Sequence, residues 1–131
     1  MNHKKPDIII DATSAIHHKY NYEIARKNGI VIIDMTPANL GKPCCPAINL
    51  KECIKNDNIN MISCGAQAAI PICSAIKSSN YNLSYVEVVS TISSLSAGLG
   101  TRRNISQYIN ATENAIIDIL GIENVKVIIN I

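Results

Sequence analysis

The sequence predicts an α/β chain, and three observations carry that prediction. Residues 7–11, Asp-Ile-Ile-Ile-Asp, and 30–34, Ile-Val-Ile-Ile-Asp, are short β-branched runs without alternation, the pattern of strands buried on both faces of a parallel sheet. Between them residues 13–28 read as one helix, with Thr13 or Ser14 as N-cap and Asn28-Gly29 as the stop. Strand, helix and strand over residues 7–34 make a βαβ unit, hence parallel strands joined by a right-handed crossover.

From Thr36 the pattern changes. Pro37, Gly41, Pro43 and Pro46 argue against a helix or central strand, so 36–46 is predicted as a loop. A short element from Ala47 leads into the turn-rich run Lys55-Asn56-Asp57-Asn58, and Ile59 to Ile62 is strand-like again. Cys64-Gly65 ends that strand. Gln67 to Lys77 then reads as a helix, in which Pro71 is tolerable only near the first turn. Tyr85 to Ser93 is predicted as a strand, and Gly98 with Gly100 marks a second loop. Asn104 to Leu120 is the clearest helix, with Ile105, Tyr108, Ile109, Thr112, Ile116 and Leu120 on one face. Asn104 and Gln107 have the form of a capping box, Gly121 closes the helix, and Val125 to Ile131 is a last strand. The first strand has no earlier partner in the chain and the last runs into the C-terminus, so an internal fragment of a longer protein is expected.

Composition narrows the function classes. The apolar content is enough for a core, although a domain of this size buries only roughly two-thirds of its unfolded surface. The net charge is +2 with basic residues scattered, which lacks the stripe of a nucleic-acid binder. No apolar run approaches the roughly 20 residues that cross a bilayer, and Pro6-Asp7 interrupts the N-terminus where a signal peptide would have its apolar core. A soluble cytoplasmic protein with no membrane or nucleic-acid partner is expected. The cysteines are Cys44, Cys45, Cys53, Cys64 and Cys73, an odd count with no secretion signal, so free thiols are expected rather than a disulfide framework. No Cys-x-x-Cys pair is present, and His3, His17 and His18 lie far from any metal-ligand spacing, so no metal site is expected. His17 and His18, with Tyr20 and Tyr22 near, read as a solvated helix face.

Two segments are candidates for chemistry. Cys64 falls where a strand ends and a helix begins, and the N–H groups and partial positive charge of a helix N-terminus favour thiolate over thiol. Gly65 lets a carbonyl substrate approach the backbone, and the Cys64 N–H is a candidate donor to a developing oxyanion. These are requirements for covalent cysteine catalysis on an aldehyde. The competing account is a buried structural cysteine, and position alone does not decide between them. Cys73 falls inside the helix, Cys53 in a polar segment and Cys44-Cys45 between prolines. The second segment is Ser96-Ala97-Gly98-Leu99-Gly100-Thr101-Arg102-Arg103-Asn104, small residues and hydroxyls ahead of a helix that suit a phosphate or a nicotinamide amide. Arg103 stands where a third glycine would complete Gly-x-Gly-x-x-Gly, so the segment is no dinucleotide fingerprint by itself, and a tight loop with an N-cap is its simpler reading.

Taken together, these segments resemble the acylating acetaldehyde dehydrogenases that partner a 4-hydroxy-2-oxoacid aldolase in bacterial aromatic degradation. The matching stretches are Asp7-Ile-Ile-Ile-Asp-Ala-Thr-Ser-Ala15, Ile33-Asp-Met-Thr-Pro-Ala38, Asn60-Met-Ile-Ser-Cys-Gly-Ala-Gln-Ala-Ala-Ile-Pro71, and Ser96-Ala-Gly-Leu-Gly-Thr-Arg102 with Asn104. The resemblance implies that residues 1–62 are the C-terminal part of a Rossmann-type NAD-binding domain and that 63–131 begin an α+β catalytic and dimerisation domain. It implies Cys64 as nucleophile, Ser96 to Asn104 as a loop contacting NAD near the nicotinamide, and acetaldehyde and coenzyme A as substrates. It also implies a homodimer and a 4-hydroxy-2-oxovalerate aldolase partner. The sequence departs from the family at Leu95, where Lys is usual, at Leu99, where Pro is usual, and at Ala66, where the family has a second glycine. The glycine-rich turn that holds the NAD pyrophosphate in that family has no counterpart here. Two rival expectations follow: an inactive fragment that at most associates with intact subunits, and a phosphorylating semialdehyde dehydrogenase whose second anion site would rest on Arg102-Arg103.

Overall fold

The structure, a computed structural model, describes residues 4–79 and 82–131, apart from the side chain of Thr101. Its elements are β1 (Ile8–Asp11), α1 (Ala15–Lys27), β2 (Val31–Asp34), β3 (Lys42–Pro43), α2 (Pro46–Cys53), β4 (Asn58–Asn60), α3 (Cys64–Ser78), β5 (Val86–Thr91), α4 (Leu99–Arg103), α5 (Ile105–Leu120) and β6 (Val125–Asn130). The chain divides into two compact units, Met1–Met61 and Ile62–Ile131. No described helix is long and apolar enough to cross a membrane.

The first unit is a parallel sheet in the order β1-β2-β4-β3. Ile9 pairs with Ile32 and Ile33 with Ile59, so the apolar runs lie side by side. Ser14 caps α1 through its side chain, and Asn28 followed by Gly29 at φ +61° ends it. That left-handed backbone suits glycine, the one residue with no Cβ to clash there. Ala25 of α1 packs with Ile30, Ile32, Ile9 and Tyr22, and a second cluster joins Cys44, Cys53 and Ile59 to Val31 and Met61. The sequence led to strands covered on both faces, yet Ile8 and Ile10 of the edge strand β1 are exposed. A continuous apolar run shows what a strand tolerates, and among the described residues no element covers that side. The predicted loop over 36–46 contains one short edge strand, β3, whose Pro43 sits where a missing N–H costs least.

His18 corrects the expectation of a solvated histidine face. It is fully buried, while its neighbour His17 is exposed. The His18 Nδ1 lies 2.9 Å from Asp11 Oδ2, and its Nε2 lies 3.3 Å from Asp34 Oδ2 and 3.1 Å from Asn58 Nδ2. One turn of α1 is thereby tied to the C-terminal ends of β1 and β2 and to the first residue of β4. Burial opposes ionisation of Asp11, but hydrogen bonds from Thr13, Asn21 and His18 outweigh it and hold its carboxyl well below the usual carboxylate range. At Asp34 burial prevails over the hydrogen bonds from Thr36 and pushes the carboxyl upward.

The second unit pairs β5 with β6 in parallel, from Val86↔Val125 to Thr91↔Asn130, with α4 and α5 between them in sequence. α3 packs against α5, and α5 against β6. The buried side of α5 carries Ala111, Thr112, Ala115, Ile116 and Leu120, and Gly121 closes it in the left-handed region at φ +64°. Three expectations change here. Pro71 lies in the interior of α3, two turns from its start, rather than in the first turn. The glycines 98 and 100 do not hold a loop open, because residues 99–103 wind into the short helix α4. Asn104 does stand at the N-cap position of α5 but forms no capping hydrogen bond; its side-chain amide donates back to the Gly100 carbonyl at 2.8 Å.

Candidate active site

Cys64 is the first residue of α3, and its thiol is exposed, whereas Cys44, Cys45, Cys53 and Cys73 are buried. The helix starts where it does because Ser63 is extended and its hydroxyl accepts the Ala66 N–H at 3.0 Å. Just before it, Ile62 takes φ 54°, a conformation that costs a β-branched residue on the order of 1–3 kcal/mol. Burial, with Cys53 beside it, pushes the Cys44 thiol up to about 12, and burial also raises Cys45 and Cys73. Those three are held as neutral thiols in apolar surroundings.

The surroundings of Cys64 come from α5, 44 residues away. The Tyr108 hydroxyl stands 3.4 Å from the Cys64 sulfur and accepts the Gly65 N–H at 2.8 Å. Thr112, fully buried, donates to the Tyr108 carbonyl at 2.7 Å, so the 2.6 Å contact between Ser63 and Thr112 has the Ser63 hydroxyl as donor. Burial, and then the neighbouring Cys64, raise Tyr108 above the ordinary tyrosine value, so it remains a phenol with one proton to donate. Gly65 was expected to leave room for a substrate. Instead a Cβ there would collide with the Tyr108 hydroxyl and lie 3.3 Å from its ring carbon Cζ. The glycine is needed for the approach of a side chain from α5.

Most backbone donors at the start of α3 are engaged. The Gly65 N–H is bound to Tyr108, the Ala66 N–H to the Ser63 hydroxyl, and the Gln67 N–H to the Ser63 carbonyl at 2.9 Å. Of the N–H groups of Cys64, Gly65, Ala66 and Gln67, only that of Cys64 has no acceptor among the described residues. An exposed thiol and an unengaged backbone donor therefore belong to the same residue. Beside them an open groove of about 340 Å³ runs between α3 and β5, with Gly65, Ala69, Ile72, Val88 and Ser90 on its walls.

The second predicted segment is shaped by Arg102. Its guanidinium donates to the Ala97 carbonyl at 2.9 Å and to the Ser94 carbonyl and hydroxyl at 3.0 and 2.8 Å. Ala97 is buried, while Ser96, Gly98, Leu99, Gly100 and Arg103 are exposed and Asn104 is half-buried. The side chain of Thr101 lies outside the described residues. An added Cβ at Gly98 or Gly100 would meet nothing within 4 Å, so both glycines border open space. Among the described residues no hydrogen bond joins this segment to Cys64, but α4 packs against α5, the helix that carries Tyr108. Sequence reasoning found Cys64 and this segment and passed over Tyr108. Tyr108 shares a helix face with Thr112, yet nothing local tells a tyrosine that packs a core from one that meets a thiol.

Comparison with known proteins agrees in order and extent. A family model described as prokaryotic acetaldehyde dehydrogenase, dimerisation, matches residues 64–131. An acetaldehyde dehydrogenase of Spirochaeta aurantia is 43% identical over 128 residues, covering 98% of this chain and 43% of its own length. One of Burkholderia thailandensis is 44% identical, covering 95% of this chain and 42% of its own length. One of Bacillus cereus is 47% identical, covering 94% and 41%. This chain thus spans less than half the length of these relatives. With its second unit matched from Cys64 to the last residue, the chain belongs to the prokaryotic acetaldehyde dehydrogenase family.

Proposed function

We propose that the protein to which this chain belongs is an NAD-dependent acylating aldehyde dehydrogenase, in which Cys64 carries the acyl group. The observation that carries this reading is the coincidence, at the first residue of α3, of the one exposed cysteine thiol and an N–H with no acceptor among the described residues. Cys64 as thiolate adds to the carbonyl carbon of acetaldehyde, forming a C–S bond and placing negative charge on oxygen. The Cys64 N–H and the positive end of α3 stabilise that charge. As the carbonyl re-forms, hydride leaves the carbon and a thioester remains on Cys64. The Ser96–Asn104 segment would hold NAD at this point, and the cofactor would supply the two-electron acceptor for that hydride. Coenzyme A thiolate then attacks the thioester, and Cys64 departs as a thiolate while acetyl-CoA is released. A thiolate serves both steps, as nucleophile and as leaving group.

The Ser96–Asn104 segment suits the nicotinamide side of this chemistry. Gly98 and Gly100 border open space, and Arg102 braces the turn with hydrogen bonds to Ala97 and Ser94. On this reading the first unit is the C-terminal part of the NAD-binding domain, and the second begins the catalytic and dimerisation domain. The dimerisation description of the matched family model supports a homodimer. An aldolase that supplies the aldehyde, and a cytoplasmic setting, complete the proposal. The phosphorylating alternative loses support, because Arg102 is spent on its own loop and only Arg103 remains for a second anion site. A second reading, a chain that folds and associates but does not turn over, is favoured by its span of 43% of the Spirochaeta relative.

The test is NADH formation from acetaldehyde and coenzyme A. The full-length protein is expected to be active, its Cys64→Ser variant to lose on the order of 10³-fold or more in rate, and Cys73→Ser to stay near wild type. Equal losses in the two variants would sink the assignment of Cys64. The 131-residue chain alone is expected to show little or no turnover, and wild-type-like rates from it would refute the fragment reading.

A further inference from the structure

We propose that Tyr108 is a positioning residue for Cys64, donating its hydroxyl proton to the sulfur while its oxygen takes the Gly65 N–H out of reach of substrate. The proposal rests on the reading of Cys64 as nucleophile and names the group that prepares it. Its geometry is directional. A phenol has one proton to give and lone pairs to receive. The Gly65 N–H approaches the oxygen at 2.8 Å as a donor, so the hydroxyl proton is free for the sulfur at 3.4 Å. A sulfur acceptor is larger than oxygen, and a hydrogen bond to it strengthens when the sulfur is charged.

The oxygen is held in place from two sides. Ser63 and Thr112 bind the start of α3 to α5 at 2.6 Å, and Thr112 grips the Tyr108 carbonyl at 2.7 Å. The absence of a side chain at Gly65 lets the ring come this close. The other titratable groups of α3, α4, α5, β5 and β6 are Cys73, Lys77, Glu87, Arg102, Arg103, Glu113, Asp118 and Lys126, and none has a hydrogen bond or ion pair to Cys64 among the described residues. Lys77 donates to the Leu120 carbonyl at the far end of α3. Glu113 accepts the Val127 N–H, and Glu87 faces Tyr85 and Lys126. Cys73 is buried further along α3. Among the described residues Tyr108 is therefore the ionisable group in contact with the Cys64 sulfur.

Two consequences follow for the proposed reaction. Thiolate is favoured by a donor that moves with α5, so the packing of α3 on α5 sets the reactivity of Cys64. Substrate oxygen also meets a single backbone donor, that of Cys64, because Tyr108 has filled the next one.

The test is alkylation of the full-length protein by iodoacetamide, read at the Cys64 peptide by mass spectrometry as a function of pH. It requires neither NAD nor turnover. Tyr108→Phe keeps the ring and removes the hydroxyl. At pH about 7 it is expected to slow labelling about tenfold, the effect of losing one hydrogen bond to a charged sulfur. Chain containing 3-fluorotyrosine keeps the fold and carries a stronger donor at the same place, so its labelling at pH about 7 is expected to rise. Superimposed profiles for wild type and Tyr108→Phe would overturn the proposal and leave the role of Cys64 standing. Should Tyr108→Phe fail to fold, an unchanged rate in the fluorinated chain overturns it instead. Cys64 labelling no faster than the buried cysteines at every pH would remove the nucleophile reading and this proposal with it.

Discussion

The substitution Gly65→Ala separates two accounts of one glycine. If Gly65 exists to admit a substrate, alanine there harms catalysis and leaves stability alone. The structure places the Tyr108 hydroxyl in that space, so alanine must push the ring away and break the Gly65–Tyr108 bond. A loss of about 1–3 kcal/mol in urea denaturation is expected, the usual cost of forcing atoms into a filled site. Unchanged stability would mean that Tyr108 does not sit there. The buried Asp11–His18 pair gives a second prediction at this scale. The Asp11 carboxyl is depressed in the folded state, so its contribution is present above its unfolded value of about 3.9 and is lost as pH falls through its native value. Asp34 is raised and acts in the opposite sense: its contribution is present below the unfolded value and fades as pH rises through the native one. The stability gap between wild type and Asp11→Asn should therefore be wide at pH about 7 and close progressively as pH falls below about 4, and parallel curves would contradict it. Residues of this kind divide sharply in legibility. Cys64 was legible because a strand-to-helix junction is a local pattern. His18 was not, because one position along α1 turns the side chain from solvent to the buried Asp11, and the sequence shows only two adjacent histidines.

Among the elements, α3 departs most from its local rules. Pro71 stands two turns inside it and cannot donate a hydrogen bond to the residue four before it. The helix persists because its start is fixed by Ser63, Tyr108 and Thr112 and its body packs on α5 through buried Ala66, Ile70 and Cys73. Pro71→Ala is expected to raise stability by about 1–3 kcal/mol in urea unfolding. A decrease would mean that the proline ring makes packing contacts that outweigh the missing bond. Strands were the more legible elements, since uninterrupted isoleucine and valine runs have few other uses. The glycine pair at 98 and 100 misled for an identifiable reason. Glycine signals a loop by backbone freedom, but Arg102 closes the preceding turn with three hydrogen bonds and the chain then coils into α4. The form of a capping box at Asn104 failed likewise, because its amide turned back to Gly100.

For the molecule as a whole, the parallel β1–β2 pair was readable from spacing, as was the α/β class. The pairing of β5 with β6, whose first residues are Val86 and Val125, was not, because sequence carries no sign of which distant strand a run adopts. The family was legible from motif order, and the match over residues 64–131 establishes it. What remains central is the chemical claim that one thiol of five carries the acyl group. The most direct measurement is peptide mapping of the full-length protein after incubation with acetaldehyde and NAD in the absence of coenzyme A. The acetyl group should be found on the Cys64 peptide, survive in Cys73→Ser, vanish in Cys64→Ser and be discharged when coenzyme A is added. Acetylation at another residue, or undiminished in Cys64→Ser, would contradict the account.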